Sequence, residues 1–430
     1  MVQPWYIFLL FSSTIIDFAT AQWIHRTQNI THRRFFFGLS LTGNLGMLFA
    51  FKYTDFFIEN LNFLASNSEP GIELTNWLLP VGISFYTFQT LSYTIDVYQK
   101  KIEPTKDFIQ FAIFVSFFPQ LVAGPIERAS KLLQQLAKKN VATREDYEMG
   151  FQRILWGLVK KLVLADRFAI IVDQVYANPS EYGGWITLLA LFCFTLQLYL
   201  DFSAYTDIAI GIARIFGIKL SENFDWPYLA ENPSEFWSRW HMTLTNWFTD
   251  YVYRPLGGTF RNRPLQTFLN ITFTMTLIGF WHGAAWNFLL FGLASGIMSA
   301  SFMFLKLLPR FRRKKLLGNY IWSKPLAIFL NYLMIVIVIG VLFRSENVDT
   351  AIKIWSSLLD FSNSWKPEYW FHTILVFFIL LGHIIRGTWF AHRKPVKMSP
   401  ILRGVFWTVL ILLLVFTGVE KGSEFIYFQF

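Results

Sequence analysis

The sequence has one cysteine among 430 residues, and only 15% of its residues are charged. A single thiol can form neither an internal disulfide nor a cysteine cluster around zinc, so Cys193 excludes both and carries no information about redox compartment. Flanked by Phe192 and Phe194, it reads as core packing. Scarce charge beside 54% hydrophobic and 19% aromatic residues excludes an ordinary soluble domain. No periodic repeat or low-complexity linker interrupts the chain, which reads as one domain over residues 1–430. The opening MVQPWYIFLLFSSTIIDF lacks both a basic stretch ahead of its apolar run and a small-residue cleavage site, so it reads as a retained helix and not a signal peptide.

What the chain has in quantity is apolar runs of roughly 17 to 25 residues, each enough to cross ~30 Å of hydrocarbon as helix. They predict an all-α, polytopic integral membrane domain with about 10–11 spanning or inserted helices. The predicted segments lie near 5–24, 35–57, 75–98, 150–176, 185–216, 265–281, 285–306, 325–343, 371–389 and 401–418. Residues 108–126, which hold Pro119, Gly124 and Pro125, are predicted to enter the membrane and return.

A net charge of +10 invites a nucleic-acid reading, but the bases sit in alternate loops, as at a membrane surface. Residues 306–324 carry Lys306, Arg310, Arg312, Arg313, Lys314, Lys315 and Lys324 with no acid, and 386–403 carry Arg386, Arg393, Lys394, Lys397 and Arg403 with none. The positive-inside rule makes both loops cytoplasmic. The acidic stretch 58–74 and the mixed stretch 344–370 are then external.

Residues 217–264 are aromatic and charged, too polar to span, and are predicted to be interfacial or re-entrant. Asn232 as cap, Pro233 in the first turn and Glu235 three residues on predict a helix from about 233 to 250. On it Phe236, Trp240, Thr243 and Trp247 would share one stripe, Trp237, His241, Leu244 and Phe248 the next, and Arg239, Asn246 and Asp250 the far side. An interfacial anchor and a functional helix both fit. The run LQLYLDFSAYTDIAIGIARIFGI holds Gln197, Tyr199, Asp201, Ser203, Tyr205, Thr206, Asp207 and Arg214 where charge is expensive. A structural network, with Asp207 and Arg214 on a similar face, and the wall of a polar tunnel are both open readings.

Six blocks in order, LPVGISFYTFQTLSYTIDVY, FFPQLVAGPIER, LYLDFSAYTDIAIG, WSRWHMTLTNWFTDYVYRPLGG, FWHGAAWNF and the final FIYFQF, resemble the membrane-bound O-acyltransferase (MBOAT) family and within it the bacterial alginate O-acetyltransferase branch. RPLGG favours that branch over the D-alanyl transfer proteins of teichoic acid modification. Two positions depart from the family pattern: Ser295 stands where relatives often have histidine, and Ala204 where a glycine is common. Family members commonly begin with a further apolar segment, so the resemblance leaves this chain either naturally shorter or incomplete at its start.

The resemblance implies a multi-pass protein of the bacterial cytoplasmic (inner) membrane. It would move an acetyl or short acyl group from a cytoplasmic thioester such as acetyl-CoA to hydroxyls of an exported polysaccharide such as alginate, directly or through periplasmic acetylation-complex proteins. No tightly bound cofactor, metal or nucleic acid is expected. His282 matches the family's catalytic histidine and His241 its second characteristic histidine. A neutral imidazole in a poorly hydrated site can take the hydroxyl proton as the oxygen attacks the thioester carbonyl. Asp201, Tyr199, Trp240, Asn246 and Trp281 are expected at the substrate, with Trp286 also walling the passage, Gly279 and Gly283 leaving room and Asn287 donating to the oxyanion. Lys160, Lys161, Arg261 and Arg263 are placed for the donor's phosphates, with anchoring to anionic lipid an equal reading. The remaining histidines, His25, His32, His372, His383 and His392, read as solvated or interfacial. D-alanyl or other acyl transfer to an envelope polymer, a non-catalytic part of an export complex and a secondary transporter are the alternatives; for the transporter the internal repeat it would need is missing.

Overall fold

The computed structural model describes residues 4–65, 71–308, 324–361, 366–389, 399–419 and 422–426. Most of the bases in the two predicted cytoplasmic loops, Arg310 to Lys315 and Arg393 to Lys397, lie outside the described residues, as do the last four residues of FIYFQF.

Every regular element among the described residues is helical. In order they are α1 (Ile7–Arg26), α2 (Ile30–Lys52), α3 (Thr54–Ala65), α4 (Ile83–Tyr98), α5 (Phe108–Ser116), α6 (Ala129–Leu136), α7 (Arg144–Leu158), α8 (Asp166–Ala177), α9 (Gly184–Ile215), α10 (Pro233–Arg239), α11 (Met242–Phe248), α12 (Pro264–His282), α13 (Trp286–Leu307), α14 (Lys324–Met334), α15 (Val341–Arg344), α16 (Val348–Ser357), α17 (Trp370–Trp389) and α18 (Pro400–Thr417). Wide π-helical turns join α7 to α8 (Val159–Ala165) and α14 to α15 (Ile335–Gly340). Side-chain caps start several elements: Asn29 Oδ1 accepts from Thr31 N at 2.8 Å before α2, and Asp107 Oδ1 from Ile109 N at 2.8 Å before α5.

Among the described residues, seven stretches are long and apolar enough to cross a membrane: Pro4–Arg26, Ile30–Lys52, Gly184–Ile215, Trp286–Leu307, Lys324–Arg344, Pro367–Ile385 and Pro400–Thr417. The other predicted segments are helical but shorter or more polar. That expected at 75–98 forms only the 16 residues of α4, and that at 150–176 is divided by the first π turn. The predicted break in 108–126 is present: α5 stops after nine residues, short of a crossing, and Phe117–Gly124 turns the chain toward α6.

Packing divides the chain into two compact units, Met1–Phe151 with Ala209–Ser221, and Gln152–Ile208 with Glu222–Phe430. In the first, α1 packs on α2 and α4, and Arg214 Nε lies 2.8 Å from Asp146 Oδ1. In the second, Asp207 pairs with Lys160 and Arg153. Asp207 and Arg214 therefore have separate partners, each contributed by a different stretch of chain.

In the second unit α12 packs extensively against α13. A Cβ on Gly279 would land on the Phe288 carbonyl oxygen and 2.6 Å from Gly292 Cα, so only glycine permits this approach. The room that Gly279 leaves for backbone or substrate is taken by the backbone of α13, and that at Gly283 by the Phe288 ring.

Candidate active site

The predicted helix at 233–250 is two helices. Asn232 caps as expected, its Oδ1 accepting from Glu235 N at 2.9 Å, while Glu235 Oε2 accepts from Glu231 N at 2.9 Å. The helix stops at Arg239. Trp240 is extended and His241 takes a left-handed conformation with φ 42°, after which α11 restarts at Met242. The cause is the segment around Asn223. Met242 N donates to the Asn223 carbonyl and Asp225 N to the Arg239 carbonyl, each at 2.9 Å. Asn223 Oδ1 accepts from Thr243 N at 3.2 Å and Thr243 Oγ1 at 2.9 Å and sits 3.1 Å from His241 Nδ1. Groups that a helix break would leave open are thus satisfied by a second strand of chain, which offsets the strain of a left-handed histidine. The stripes expected across 236–248 are interrupted at His241.

His282 is the last residue of α12 and is buried. Trp281, Phe343 and Phe291 surround it, with ring centroids at 4.9, 5.2 and 5.9 Å. The Trp281 indole is also 6.3 Å from the His241 ring, so one tryptophan neighbours both imidazoles. Burial, and secondarily the nearby His282, holds His241 well below the ordinary imidazole range, so its ring is neutral at physiological pH.

His282 lines a cavity of about 20 Å³ whose other walls include Tyr228, Phe236, Trp240, Ile339 and Phe343. A second cavity, about 550 Å³, is lined by Arg153, Lys160, Tyr199, Asp207, Glu222 and His383 among others. Its charges are paired: Lys160 Nζ is 2.6 Å from Asp207 Oδ2 and 2.8 Å from Ser203 Oγ, and Arg153 bridges Asp207 and Glu222 at 2.8 and 2.6 Å. Tyr199, on the larger cavity, stacks edge-on against Tyr228 at 5.5 Å and lies 6.2 Å from Trp240, both on the smaller one. An aromatic layer stands between the two spaces.

The structure therefore gathers His282, Trp240, Tyr199 and Lys160 around two adjoining cavities, with His241 and Trp281 beside them. Other expected residues are placed differently. Asp201 is buried, with Oδ1 2.6 Å from Lys161 Nζ and Oδ2 accepting from Ile426 N at 2.8 Å, so both carboxylate oxygens hold the protein together. Lys161 is fixed between Asp201 and Asp166, the latter at 2.9 Å, and is not aimed at a donor phosphate. Neither lines either cavity. The Asn287 amide donates to the carbonyls of Ser345 at 2.7 Å and Leu342 at 3.3 Å, which uses its hydrogens and removes the expected oxyanion contact. Asn246, Arg261 and Arg263 are exposed, and Trp286 is more than half exposed.

Four residues of this region escape the sequence reading: Arg153, Glu222, Asn223 and Tyr228. Their partners are distant in the chain, 69 residues for Arg153 and Glu222, and no local pattern marks them. His383, expected at a solvated or interfacial position, is instead buried on α17 against Trp226 and Tyr199, at 4.8 and 5.4 Å. Its setting inside the apolar run LVFFILLGHII was the available signal.

The family model described as MBOAT, membrane-bound O-acyltransferase family, matches residues 100–343. The chain is 34% identical over 420 residues to the probable alginate O-acetylase AlgI of Pseudomonas putida, covering 90% of this chain and 82% of that protein. Its match to the protein of the same name in Pseudomonas aeruginosa is 37% identical, covering 76% of this chain and 61% of that one. A peptidoglycan O-acetyltransferase of Helicobacter pylori is 34% identical over 82% of this chain and 70% of its own length. Several helices able to cross a membrane, a paired-histidine region within the matched span and these similarities lead to one assignment: the chain belongs to the membrane-bound O-acyltransferase family and is a multi-pass membrane acyltransferase.

Proposed function

We propose that the protein moves an acetyl group from a cytoplasmic thioester, acetyl-CoA or a similar donor, to hydroxyls of an exported polysaccharide such as alginate, directly or through a periplasmic partner. The observation that carries the reading is His282 on the wall of a cavity with room for a group the size of a methyl, one aromatic layer from a cavity large enough for a substrate. His282 acts as general base: the acceptor hydroxyl gives its proton to the imidazole as its oxygen bonds to the thioester carbonyl carbon. The carbon–sulfur bond then breaks, and the thiolate leaves with the proton that His282 returns. The acetyl methyl lies in the small cavity. His241, held by Asn223, supports this geometry through Trp281.

Because Lys160 is already matched by Asp207, recognition of a polyanionic donor falls to exposed bases, Arg261 and Arg263. Asp201, Lys161 and Asn287 are assigned to the scaffold. D-alanyl transfer is the second reading, supported by 29% identity to a teichoic acid D-alanyltransferase of Streptococcus thermophilus over 65% of this chain.

Full-length protein in nanodiscs, given acetyl-CoA and polysaccharide, should release free CoA, and polymer from producing cells should carry acetyl esters detectable by mass spectrometry. Unchanged polymer in cells lacking the protein, with no CoA release in vitro, would refute the proposal.

A further inference from the structure

The charged lining of the larger cavity is matched internally: Lys160 and Arg153 both meet Asp207, and Arg153 also meets Glu222. Two other lining residues each bury a polar side-chain atom that has no hydrogen-bond partner among the described residues, Nε2 of His383 on α17 and Oγ1 of Thr206 on α9. Leaving such atoms unbonded in the folded chain is unfavourable, because neither water nor protein replaces the bond each would make in solution.

The His383 ring is nevertheless held in place. It hydrogen-bonds to the Trp226 main chain, and since Nε2 takes no part, Nδ1 makes that bond. Trp226, Tyr199 and Tyr228 close round the ring, with centroids at 4.8, 5.4 and 5.8 Å. Trp226 itself is left-handed, with φ 47°, a conformation that a bulky residue ahead of a proline adopts only when its surroundings impose it. One nitrogen is thus anchored by a strained turn while the other is kept open on a cavity wall, which is how a preorganised binding group is built.

The lining also narrows what meets these atoms. Two bases and two acids neutralise one another, so no net charge is left over for a charged group. Aromatic walls from Tyr199, Phe224 and Trp226 with two separate polar atoms suit a molecule that carries amide or hydroxyl groups between apolar parts.

We propose that His383 and Thr206 are substrate-binding residues of the large cavity, hydrogen-bonding through Nε2 and Oγ1 to uncharged N–H or O–H groups of the molecule that fills it. The proposal rests on the acyl-transfer reading for the identity of that molecule: an amide on the arm of a thioester donor and a hydroxyl of an acceptor sugar supply the same chemistry.

Equilibrium binding to the full chain in nanodiscs, with acetyl-CoA alone and an alginate oligosaccharide alone as probes, compares the wild type with Thr206→Val and His383→Phe. Thr206→Val removes a hydroxyl that bonds nothing in the free protein, so Tm should hold or rise while the Kd of one probe increases about 2- to 10-fold. A residue that served only the fold would not move stability and affinity apart in this way. His383→Phe should weaken the same probe, and His383→Gln, whose amide replaces a ring nitrogen, should regain part of the loss; should His383→Phe fold poorly, Thr206→Val decides. An effect confined to acetyl-CoA identifies the donor, and one confined to the oligosaccharide identifies the acceptor. Unchanged affinity for both probes in the variants, or a wild-type chain that binds neither, would overturn the proposal. Binding without acetyl transfer by the wild type would count against the acyl-transfer reading alone and leave the comparison of variants intact.

Discussion

Tyr199 and Trp240 lie with ring centroids 6.2 Å apart, yet each lines a different cavity, Tyr199 the large one and Trp240 the small one that holds His282. Substrate reaching His282 from the larger space must pass this aromatic layer.

His282→Gln keeps a hydrogen-bonding side chain of similar reach but removes the base. Acetyl transfer should fall by at least ~100-fold while membrane insertion and Tm stay near wild type. A well-folded variant with wild-type turnover would show that His282 is structural.

Asn223 is predicted to be a positioning residue for His241. In Asn223→Ala the Thr243 donors and the His241 ring lose their acceptor, at a cost of about 1–3 kcal/mol for each buried group left open. Tm and turnover should both drop. Asn223→Asp, which retains the acceptor oxygen, should recover much of each, and failure of that rescue would detach Asn223 from the site.

With the acyl group proposed to lie in the small cavity, that cavity is predicted to limit acyl length. Wild-type protein should transfer acetyl well and butyryl poorly, because each additional methylene in a filled apolar site is worth about 1–3 kcal/mol. Ile339→Ala or Phe343→Ala should raise the butyryl-to-acetyl ratio of kcat/KM by ~10-fold or more. Equal handling of both donors by the wild type would place the acyl group elsewhere.

Asp201→Asn separates the scaffold role from a substrate role. Removing one charge of a buried pair costs about 3–5 kcal/mol, so yield and Tm should fall sharply. In the folded fraction, KM for the acceptor should be unchanged, since Asp201 lines neither cavity. A selective rise in KM at normal Tm would restore the substrate role.

The neutral His241 makes stability depend on pH in a defined direction. Its folded-state pKa is depressed, so the unfolded chain, with an imidazole near ~6.5, binds the proton more readily. Stability is therefore retained above ~6.5 and declines as pH falls below it. A Tm series from neutral to mildly acidic pH should show this decline, and His241→Gln should flatten part of it.

The helices were legible because their apolar runs are local properties, and the Asn232 cap because its signal spans three residues. The break at His241 was not, since Asn223, which causes it, lies 18 residues away. For the same reason Lys161 and Asp201, 40 residues apart, read as site residues when each is the other's counter-ion. Asn287 is held by carbonyls 55 and 58 residues further along. Both histidines stand out in the sequence through their motif settings, whereas the cavities beside them come from helices meeting in space.

The glycine contact between α12 and α13 also sets where the protein can be re-engineered. His282 is three residues beyond Gly279, and what touches there is main chain, which has no rotamers with which to adapt. That side of the small cavity is a fixed datum. Elsewhere on the lining, Ile335, Ile339 and Phe343 are side chains that can be shortened one at a time. Variation in acyl preference should therefore accumulate on that adjustable wall while the glycine seam stays unchanged.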